Sequence, residues 1–161
     1  MVGCVAESDW VLLAYRMPRE PSAPRVTVWR KLRRLGAVQV VDGLVALPAT
    51  APTVEAFGWL ADEVVEAGGE AWTWRATGSK DQDKALRQQL KDAVTEEYAA
   101  LTAEAKRAMD EPQRRTVERL RRALRDIERR DFAAPRARDD ARRAVQRVAD
   151  AMHSAVTERE R

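Results

Sequence analysis

The fold is decided by the stretch from Asp9 to Pro48, which reads DWVLLAYRMPREPSAPRVTVWRKLRRLGAVQVVDGLVALP. Four pieces follow one another in it. Apolar spacing and proline positions predict a strand over Trp10–Met17, a proline-broken connection over Pro18–Pro24, a basic amphipathic helix over Arg25–Leu35 and a β-hairpin over Ala37–Pro48. The residues before this stretch, Met1–Ser8, are expected to be a lead-in.

The hairpin has the firmest local signal in the stretch. Asp42-Gly43 separates two apolar, β-branched runs, Val38–Val41 and Leu44–Leu47. A two-residue type I′ turn requires positive φ at both central residues, and Asp and Gly tolerate that conformation. Gly36 is expected to end the preceding helix in the left-handed conformation that glycine adopts at helix C-termini.

The predicted helix before the hairpin has one apolar face. Helical spacing places Val28, Trp29, Leu32 and Leu35 on that face, and we interpret Trp29 as an anchor in the core. The basic residues fall mostly off it. Two interpretations of the basic cluster remain open, because it is either a solvated outer face or a helix that contacts phosphates.

A second helix and a last strand complete the first domain. Thr53 is a candidate N-cap, and Gly68-Gly69 is expected to end the helix. Glu70–Ala76 then reads as a strand with Trp72 and Trp74 on one face, which indicates core or interface more than a platform for a ligand. The expected apolar residues of the second helix are Val54, Phe57, Leu60, Ala61 and Val64.

The resulting order of elements is strand, helix, strand, strand, helix, strand. This order predicts an α+β domain over residues 9–77 with a ferredoxin-like βαββαβ arrangement. Both helices would cover one face of an antiparallel four-stranded sheet. The other face would be covered by the rest of the chain or by a second subunit.

After Gly78–Lys80 the pattern becomes helical, and no glycine occurs from Asp81 onwards. We expect an antiparallel three-helix extension over 81–157, with helices at about 81–109, 112–130 and 137–156. Asp110 would cap the second helix, Pro112 would lie in its first turn, and Phe132–Pro135 would form the next corner. The predicted apolar seams are Leu86, Leu90, Val94, Leu101 and Ala105, then Val117, Leu120, Leu124 and Ile127, then Ala141, Val145, Val148, Met152 and Ala155.

Composition narrows the class of protein. A chain of 161 residues with 45% hydrophobic residues can form one domain, or one small domain with an appendage. The single cysteine, Cys4, cannot form an intrachain disulfide. No apolar run approaches the roughly 18 residues of a membrane span, and Met1–Ala6 lacks the features of a secretory signal. We therefore expect a cytoplasmic protein that does not enter a membrane.

The sequence contains few residues that suggest catalysis or metal binding. His153 is the one histidine and lies beside Met152, where a surface or seam position is the expected role. No Cys or His pair has the spacing of metal ligands, and Gly68-Gly69 reads as a helix stop rather than a phosphate loop. The sequence therefore predicts a protein that is not an enzyme and has no cofactor or metal.

Positive charge is concentrated in one segment. The whole chain carries a net charge of +3, whereas residues 112–147 hold 13 arginines and six acids, a net charge of +7. Such a segment suggests an anionic partner, and a solvated helix with many ion pairs is the alternative. The tail patch consists of Arg114, Arg115, Arg119, Arg121, Arg122, Arg125, Arg129 and Arg130.

Arginine is thus the main residue type in this chain that could bind a ligand. Phosphate contacts from arginine give affinity and salt dependence with little sequence discrimination. The candidate DNA- or anion-binding residues are Arg25, Arg30, Lys31, Arg33 and Arg34 in the first helix and Arg115, Arg119 and Arg122 in the tail.

Several runs together resemble a known family. They are WVLLAYRMPREPS, VWRKLRRLGAVQ and DGLVALP, followed by Gly68-Gly69-Glu70-Ala71 and by Arg129-Arg130-Asp131-Phe132. Their order and spacing resemble the N-terminal domain of the ChrB chromate-resistance proteins, which are regarded as chromate-responsive transcriptional regulators. The resemblance implies a ferredoxin-like core shared with PaaX-type and Cas2-like proteins, DNA as partner, and chromate or another oxyanion as a further ligand. A homodimer is also expected, since a second subunit could cover the open face of the sheet.

The resemblance leaves two other functions to compare. Longer ChrB proteins carry a second domain, which is an alternative place for chromate sensing. Cas2-like nucleases carry an acid at the end of the first strand, where this chain has Tyr15-Arg16-Met17, so nuclease activity is not expected. The other alternative is a non-enzymatic dimerisation module whose arginines pair with Glu and Asp, and the number of tail ion pairs distinguishes it from a DNA-binding protein.

Overall fold

The computed structural model describes residues 10–159, and their side chains as far as residue 155. Cys4, Asp9 and the predicted lead-in Met1–Ser8 lie outside the described residues. Within them the protein is α+β, as predicted, with a four-stranded antiparallel sheet and five helices. The elements are β1 (Trp10–Arg16), α1 (Ser22–Leu35), β2 (Val38–Val41), β3 (Leu44–Pro48), α2 (Ala51–Glu66), β4 (Glu70–Ala76), α3 (Lys80–Arg107), α4 (Arg114–Glu128) and α5 (Arg136–Arg159).

The described chain forms two compact units, which divide between Gln89 and Leu90 within α3. The first unit contains the sheet, α1, α2 and the beginning of α3. The second unit contains the rest of α3, α4 and α5. The predicted domain limits, 9–77 and 81–157, stay a prediction.

The sheet has the strand order β2-β3-β1-β4, and every neighbouring pair is antiparallel. β1 is therefore bonded on both sides. Along β4 its register is unbroken, with Leu12 opposite Trp74 and Ala14 opposite Trp72. Because side chains alternate along a strand, these four side chains share one face of the sheet, while Val11 and the other odd-numbered residues of β1 lie on the opposite face.

The face that includes Val11 holds the core of the first unit. α1 and α2 both pack on it, which confirms the predicted apolar face of α2. The buried cluster consists of Val11, Leu13, Val45 and Leu47 from the sheet, Val28 and Leu32 from α1, and Phe57, Leu60 and Val64 from α2.

Trp29 is not part of this core, so the prediction of a core anchor was wrong. Its side chain is 52% exposed, whereas Val28 and Leu32 are buried. Successive residues of an α-helix are separated by about 100°, so Trp29 falls beside the narrow stripe that faces the sheet. There the guanidinium carbon of Arg33 lies 5.1 Å from the centre of the indole ring.

The N-terminus of α2 also differs from the prediction. The cap is Thr50, not Thr53, and its hydroxyl accepts a hydrogen bond from the backbone N–H of Thr53 at 3.3 Å. The backbone N–H of Thr50 in turn donates to Oγ1 of Thr53 at 2.9 Å. Thr53 is buried because its hydroxyl completes this capping box and donates to the carbonyl of Pro48 at 2.6 Å.

The hairpin has the predicted strands but not a type I′ turn. Gly43 has φ of 74°. Among the residues other than glycine in the described part of the chain, Ala134 alone has positive φ. Asp42 therefore keeps negative φ. The register of β2 with β3 shifts between Gln39 and Val41, and an irregularity of this kind locally increases the twist of a strand pair.

Other boundaries moved by a few residues. β1 ends at Arg16 rather than Met17, and α1 begins at Ser22, so the proline-broken connection is shorter than predicted. Gly36 has φ of 74° at the C-terminus of α1, and Gly68 has φ of 80° after α2. Both observations confirm the predicted helix stops.

The start of α3 covers one end of the second sheet face. Trp10 is 1% exposed, and its indole N–H donates to Oδ1 of Asp83 at 3.0 Å. The guanidinium of Arg87 lies 5.3 Å from the centre of the Trp10 ring and also binds Asp83. The hydrogen bond from Arg87 is the main cause that holds the pKa of the Asp83 carboxyl below its usual range, and the Trp10 indole adds to it.

In the second unit α3, α4 and α5 share one apolar core. Glu104 pairs with Arg119 and Glu97 pairs with Arg130, so α3 and α4 run in opposite directions. The core adds three residues that the predicted seams missed, the fully buried Tyr98 and two alanines of α5, Ala144 and Ala149. Its buried side chains are Val94, Tyr98, Leu101 and Ala105, then Val117, Leu120 and Ile127, then Ala141, Ala144, Val145, Val148 and Ala149.

Two details of this unit correct the predictions. α4 begins at Arg114 after an extended Gln113, so Asp110 and Pro112 lie in the link and do not start the helix. The six residues 108–113 are needed to reverse the chain after α3. Ala155 was predicted in the seam of α5 but is exposed, and the described core of α5 ends with the half-buried Met152.

Asp131 organises the corner between α4 and α5. Its Oδ1 accepts the backbone N–H groups of Ala133 at 2.9 Å and Ala134 at 2.7 Å. Its Oδ2 accepts the hydroxyl of Tyr98 at 3.0 Å. Burial, and then this hydrogen bond, raise the pKa of the Tyr98 hydroxyl well above its usual value. The corner is therefore fastened to α3 through one carboxylate.

The Tyr98–Asp131 contact gives a first prediction for stability. Tyr98→Phe removes one hydrogen bond and is expected to lower the free energy of unfolding by about 1 kcal/mol. Asp131→Ala removes all three acceptor contacts and leaves a buried hydroxyl unpaired, so we expect a loss of about 2–4 kcal/mol. Urea unfolding followed by circular dichroism measures both, and equal losses for the two variants would contradict the central role of Asp131.

A second prediction concerns the exposed Trp29. Trp29→Ala removes a cation–π contact at the surface and is expected to cost no more than about 1 kcal/mol. Leu32→Ala, one turn along and buried in the core, is expected to cost about 2–5 kcal/mol because it leaves a cavity. Urea unfolding of both variants checks the order, and a larger loss for Trp29→Ala would restore Trp29 as a core residue.

Candidate nucleic-acid interface

α4 presents arginine on every side that does not face the core. Val117, Leu120 and Ile127 are buried, and the helical period places the arginines on the remaining surface. Among the described side chains, four of these arginines have no ion pair. They are Arg115, Arg121, Arg122 and Arg125, all exposed.

Three of these unpaired arginines lie along one side of the helix. Arg115 and Arg122 are seven residues apart, close to two full turns, so they project in nearly the same direction about 10 Å apart along the axis. Arg125 follows Arg122 by three residues, about 4.5 Å further along. We call Arg115, Arg122 and Arg125 the α4 arginine row.

The other four arginines of the tail patch have carboxylate partners. Arg114 lies 3.0 Å from Glu118, and Arg129 lies 3.8 Å from Asp126. The remaining two bind across to α3, where Arg119 meets Glu104 and Arg130 meets Glu97. Half of the patch is thus neutralised by ion pairs. The other half keeps its charge available, so fewer arginines are paired than the alternative of a dimerisation module predicts.

α1 forms a second basic surface, in the first unit. Arg25, Arg30, Arg33 and Arg34 are exposed, and no carboxylate in the described range pairs with them. Lys31 differs from these four, because its Nζ lies 2.5 Å from Oε2 of Glu63 on α2. That pair joins α1 to α2 across their outer side.

Trp29 and Arg33 form a composite surface on α1. The guanidinium stacks over the indole at 5.1 Å, and both groups remain exposed to solvent. An aromatic ring beside an arginine can contact a base or a sugar as well as a phosphate. Sequence reasoning placed Trp29 in the core, although its position four residues before Arg33 was the available signal for this pair.

The structure places the eight predicted site residues on two helices. Arg25, Arg30, Lys31, Arg33 and Arg34 lie on α1, and Arg115, Arg119 and Arg122 lie on α4. Two of the eight, Lys31 and Arg119, are held in ion pairs with neighbouring helices. Arg121 and Arg125 were not among these eight. Local spacing could not have selected Arg125, because Glu128 lies three residues after it and is bound in the structure by Arg142 of α5.

A cleft opens beside the N-terminus of α4. It is lined by Arg114 and Arg121 but also by Asp110, Glu111 and Glu118. His153 lies in the same lining, and its Nδ1 is 3.0 Å from the carbonyl of Ala149 in the preceding turn. The mixture of charges does not favour an anion here, which leaves the α4 arginine row as the stronger candidate.

The described part of the chain has no cluster of carboxylates that resembles a metal site of a nuclease. At the end of β1, where a Cas2-like nuclease would place its acid, Arg16 lies 2.9 Å from Glu70 of β4. No group of three or more His, Cys, Asp or Glu side chains in the described part of the chain is arranged to hold a metal ion. No helix between residues 10 and 159 combines the length and apolar character needed to cross a membrane.

Comparisons with known proteins agree on one family. The family model described as Protein ChrB, N-terminal, matches residues 25–159. A curated protein of Cupriavidus metallidurans, named Protein ChrB, is 30% identical over 90 residues, which cover 56% of this chain and 28% of that protein. No solved structure matches. Because the family model covers most of the chain, including both arginine-bearing helices, the chain belongs to the ChrB family and matches its N-terminal region.

Proposed function

We propose that this chain is a DNA-binding transcriptional regulator associated with chromate resistance, which acts by binding and not by catalysis. The observation that carries the proposal is the α4 arginine row. Its three guanidinium groups are exposed, lie along one side of a helix and have no carboxylate partner among the described side chains. Such groups release counterions when they contact phosphates, and that release drives association with DNA.

The charge distribution supports the same partner. Residues 112–147 carry +7 although the chain as a whole carries +3. Five of the six acids in this segment are in ion pairs with specific arginines, for example Glu118 with Arg114 and Glu128 with Arg142. The exposed arginines of α1 add a second surface with the same chemistry. Together they would supply affinity, while sequence preference would require contacts to base edges.

The β-sheet region fits a ferredoxin-like fold. The elements follow the order βαββαβ, the strands have the order β2-β3-β1-β4, and both helices pack on one face. This arrangement leaves the outer sides of α1 and α2 free for a partner. We include the ferredoxin-like assignment in the proposal because it accounts for the exposure of the α1 arginines.

Chromate is the proposed effector. The resemblance to the ChrB proteins supports it, and exposed guanidinium groups can hold a tetrahedral oxyanion through paired hydrogen bonds. Oxyanion and phosphate would then compete for the same arginines. The expected consequence is weaker DNA binding in the presence of chromate.

The main prediction compares two triple variants of equal charge. Arg115→Gln, Arg122→Gln and Arg125→Gln together remove the α4 arginine row, and we expect DNA affinity to fall by about tenfold or more. Each lost phosphate contact lowers the slope of log K against log salt by about 0.9, so the slope should fall by about 2.7. Fluorescence anisotropy with the chain's own upstream promoter fragment, over a salt series with and without chromate, measures both quantities.

The matched control is Arg114→Gln, Arg129→Gln and Arg143→Gln, which removes three arginines that are already paired with acids. We expect this variant to retain more affinity and more of the salt slope. A scrambled fragment of the same length tests sequence preference. Equal losses for the two variants, or binding that is weak and sequence-blind at physiological salt, would refute the proposed role of the arginine row.

A further inference from the structure

β4 is an edge strand without the usual protection. It is hydrogen-bonded to β1 on one side, and no strand in the described chain pairs with its other side. Its seven residues, EAWTWRA, contain no proline, their charges are confined to Glu70 and Arg75 near the two ends, and the register with β1 has no bulge. The opposite edge, β2, has four residues and an irregular register. Proteins normally guard long regular edges because unpaired backbone groups bind other strands.

The side chains of β4 are exposed on both faces of the sheet. Trp72 and Trp74 are 56% and 53% exposed on the face away from α1 and α2, and Thr73 and Arg75 are exposed on the other. On the helix side only Thr73 and Arg75 are thus uncovered, whereas Ala71 is half-buried and packs against the core of the first unit. An exposed pair of tryptophans next to free backbone groups is a strong indication of a binding surface.

The charges on this face favour an apolar partner over a nucleic acid. On the tryptophan side of β1 and β4 the charged residues are Arg16 and Glu70, which neutralise each other at 2.9 Å. At the other end Arg87 is bound to Asp83. The free cations needed to hold a phosphate chain are therefore missing from the described part of this face, in contrast to α1 and α4.

We propose that β4 pairs antiparallel with β4 of a second copy of this chain, so that two sheets join into one. A two-fold axis perpendicular to the sheet keeps the corresponding faces of the two sheets on the same side. Residues that lie opposite each other across the axis then share a face, and because side chains alternate along a strand, their two residue numbers must add up to an even number. The register centred on Thr73 is then the one that pairs the full length of the strand. The pairing does not rest on DNA binding, and a dimer would carry two copies of each arginine surface.

This register is self-complementary in its side chains. Trp72 lies opposite the partner's Trp74, and the symmetry repeats that contact, while Thr73 lies opposite the partner's Thr73. Aromatic pairs and threonine pairs are among the cross-strand contacts that stabilise antiparallel sheets. Ala71 meets the partner's Arg75 and Glu70 meets the partner's Ala76, so no like charges lie directly opposite one another.

The first test measures the oligomeric state of the full chain. Sedimentation equilibrium over a range of concentrations is expected to give a dimer that dissociates on dilution. Trp74→Lys should raise the dissociation constant by about tenfold or more, because lysine at a strand edge removes the aromatic pair and repels the partner. The matched control is Trp59→Lys, which makes the same change at a tryptophan of α2 that is 68% exposed. This control should leave the dimer unchanged.

The second test determines the register between the two copies of β4 by cross-linking, and it does not rely on a variant that weakens the dimer. In a Cys4→Ser background, Thr73→Cys places two thiols opposite each other across the axis, and a short bifunctional thiol reagent should join them. Arg75→Cys is the control, because its two thiols would lie four residues apart along the strands, about 13 Å. Circular dichroism of each variant establishes that it is folded.

Each outcome decides the proposal. Cross-linking at position 73 and not at 75, together with dissociation by Trp74→Lys and not by Trp59→Lys, is the expected result. A chain that stays monomeric at all concentrations would overturn the pairing. So would a dimer that Trp59→Lys weakens as much as Trp74→Lys does, or one that cross-links at position 75 but not at position 73.

Discussion

The structure of the first unit depends on the double pairing of β1. Both sides of this strand are satisfied by neighbouring strands, and its alternating side chains define two faces with different chemistry. One face carries Val11 and Leu13 into the core with α1 and α2. The other carries Trp10, Leu12 and Ala14, and the beginning of α3 covers only its Trp10 end. The half-buried Leu12 and Ala14 lie next to the tryptophans of β4.

The outer sides of the helices follow from the same packing. α1 lies on the sheet through Val28 and Leu32, so its basic residues and Trp29 must point away from the core. In the second unit α4 is divided in the same way by Val117, Leu120 and Ile127. At one flank of this stripe Arg119 reaches Glu104 of α3. Arginines furthest from the stripe, such as Arg122, reach no acid in the described chain and keep their full charge for a partner.

The chain therefore has two kinds of exposed surface that suit different partners. The helical surfaces are rich in unpaired guanidinium groups and fit a polyanion. The β4 edge carries Trp72 and Trp74 on the face where Glu70 is paired with Arg16, and it fits another strand. In the two proposals, DNA binding uses the helical surfaces and self-association uses the β4 edge. Their chemistry separates the two roles, because loss of salt-dependent binding and loss of self-association would arise from different residues.

Much of this architecture was determined by the sequence alone. Alternation and helical spacing predicted all four strands and five helices, because burying apolar side chains on one face forces these periods on the chain. The stops at Gly36 and Gly68 were also readable, since positive φ favours glycine. Tertiary structure alone decided the rest. Thr50 rather than Thr53 caps α2 because Thr53 binds the carbonyl of Pro48, and Trp29 is exposed because the sheet contacts a narrow stripe of α1. Which arginines remain free likewise depends on acids supplied by other helices, and local spacing does not contain that information.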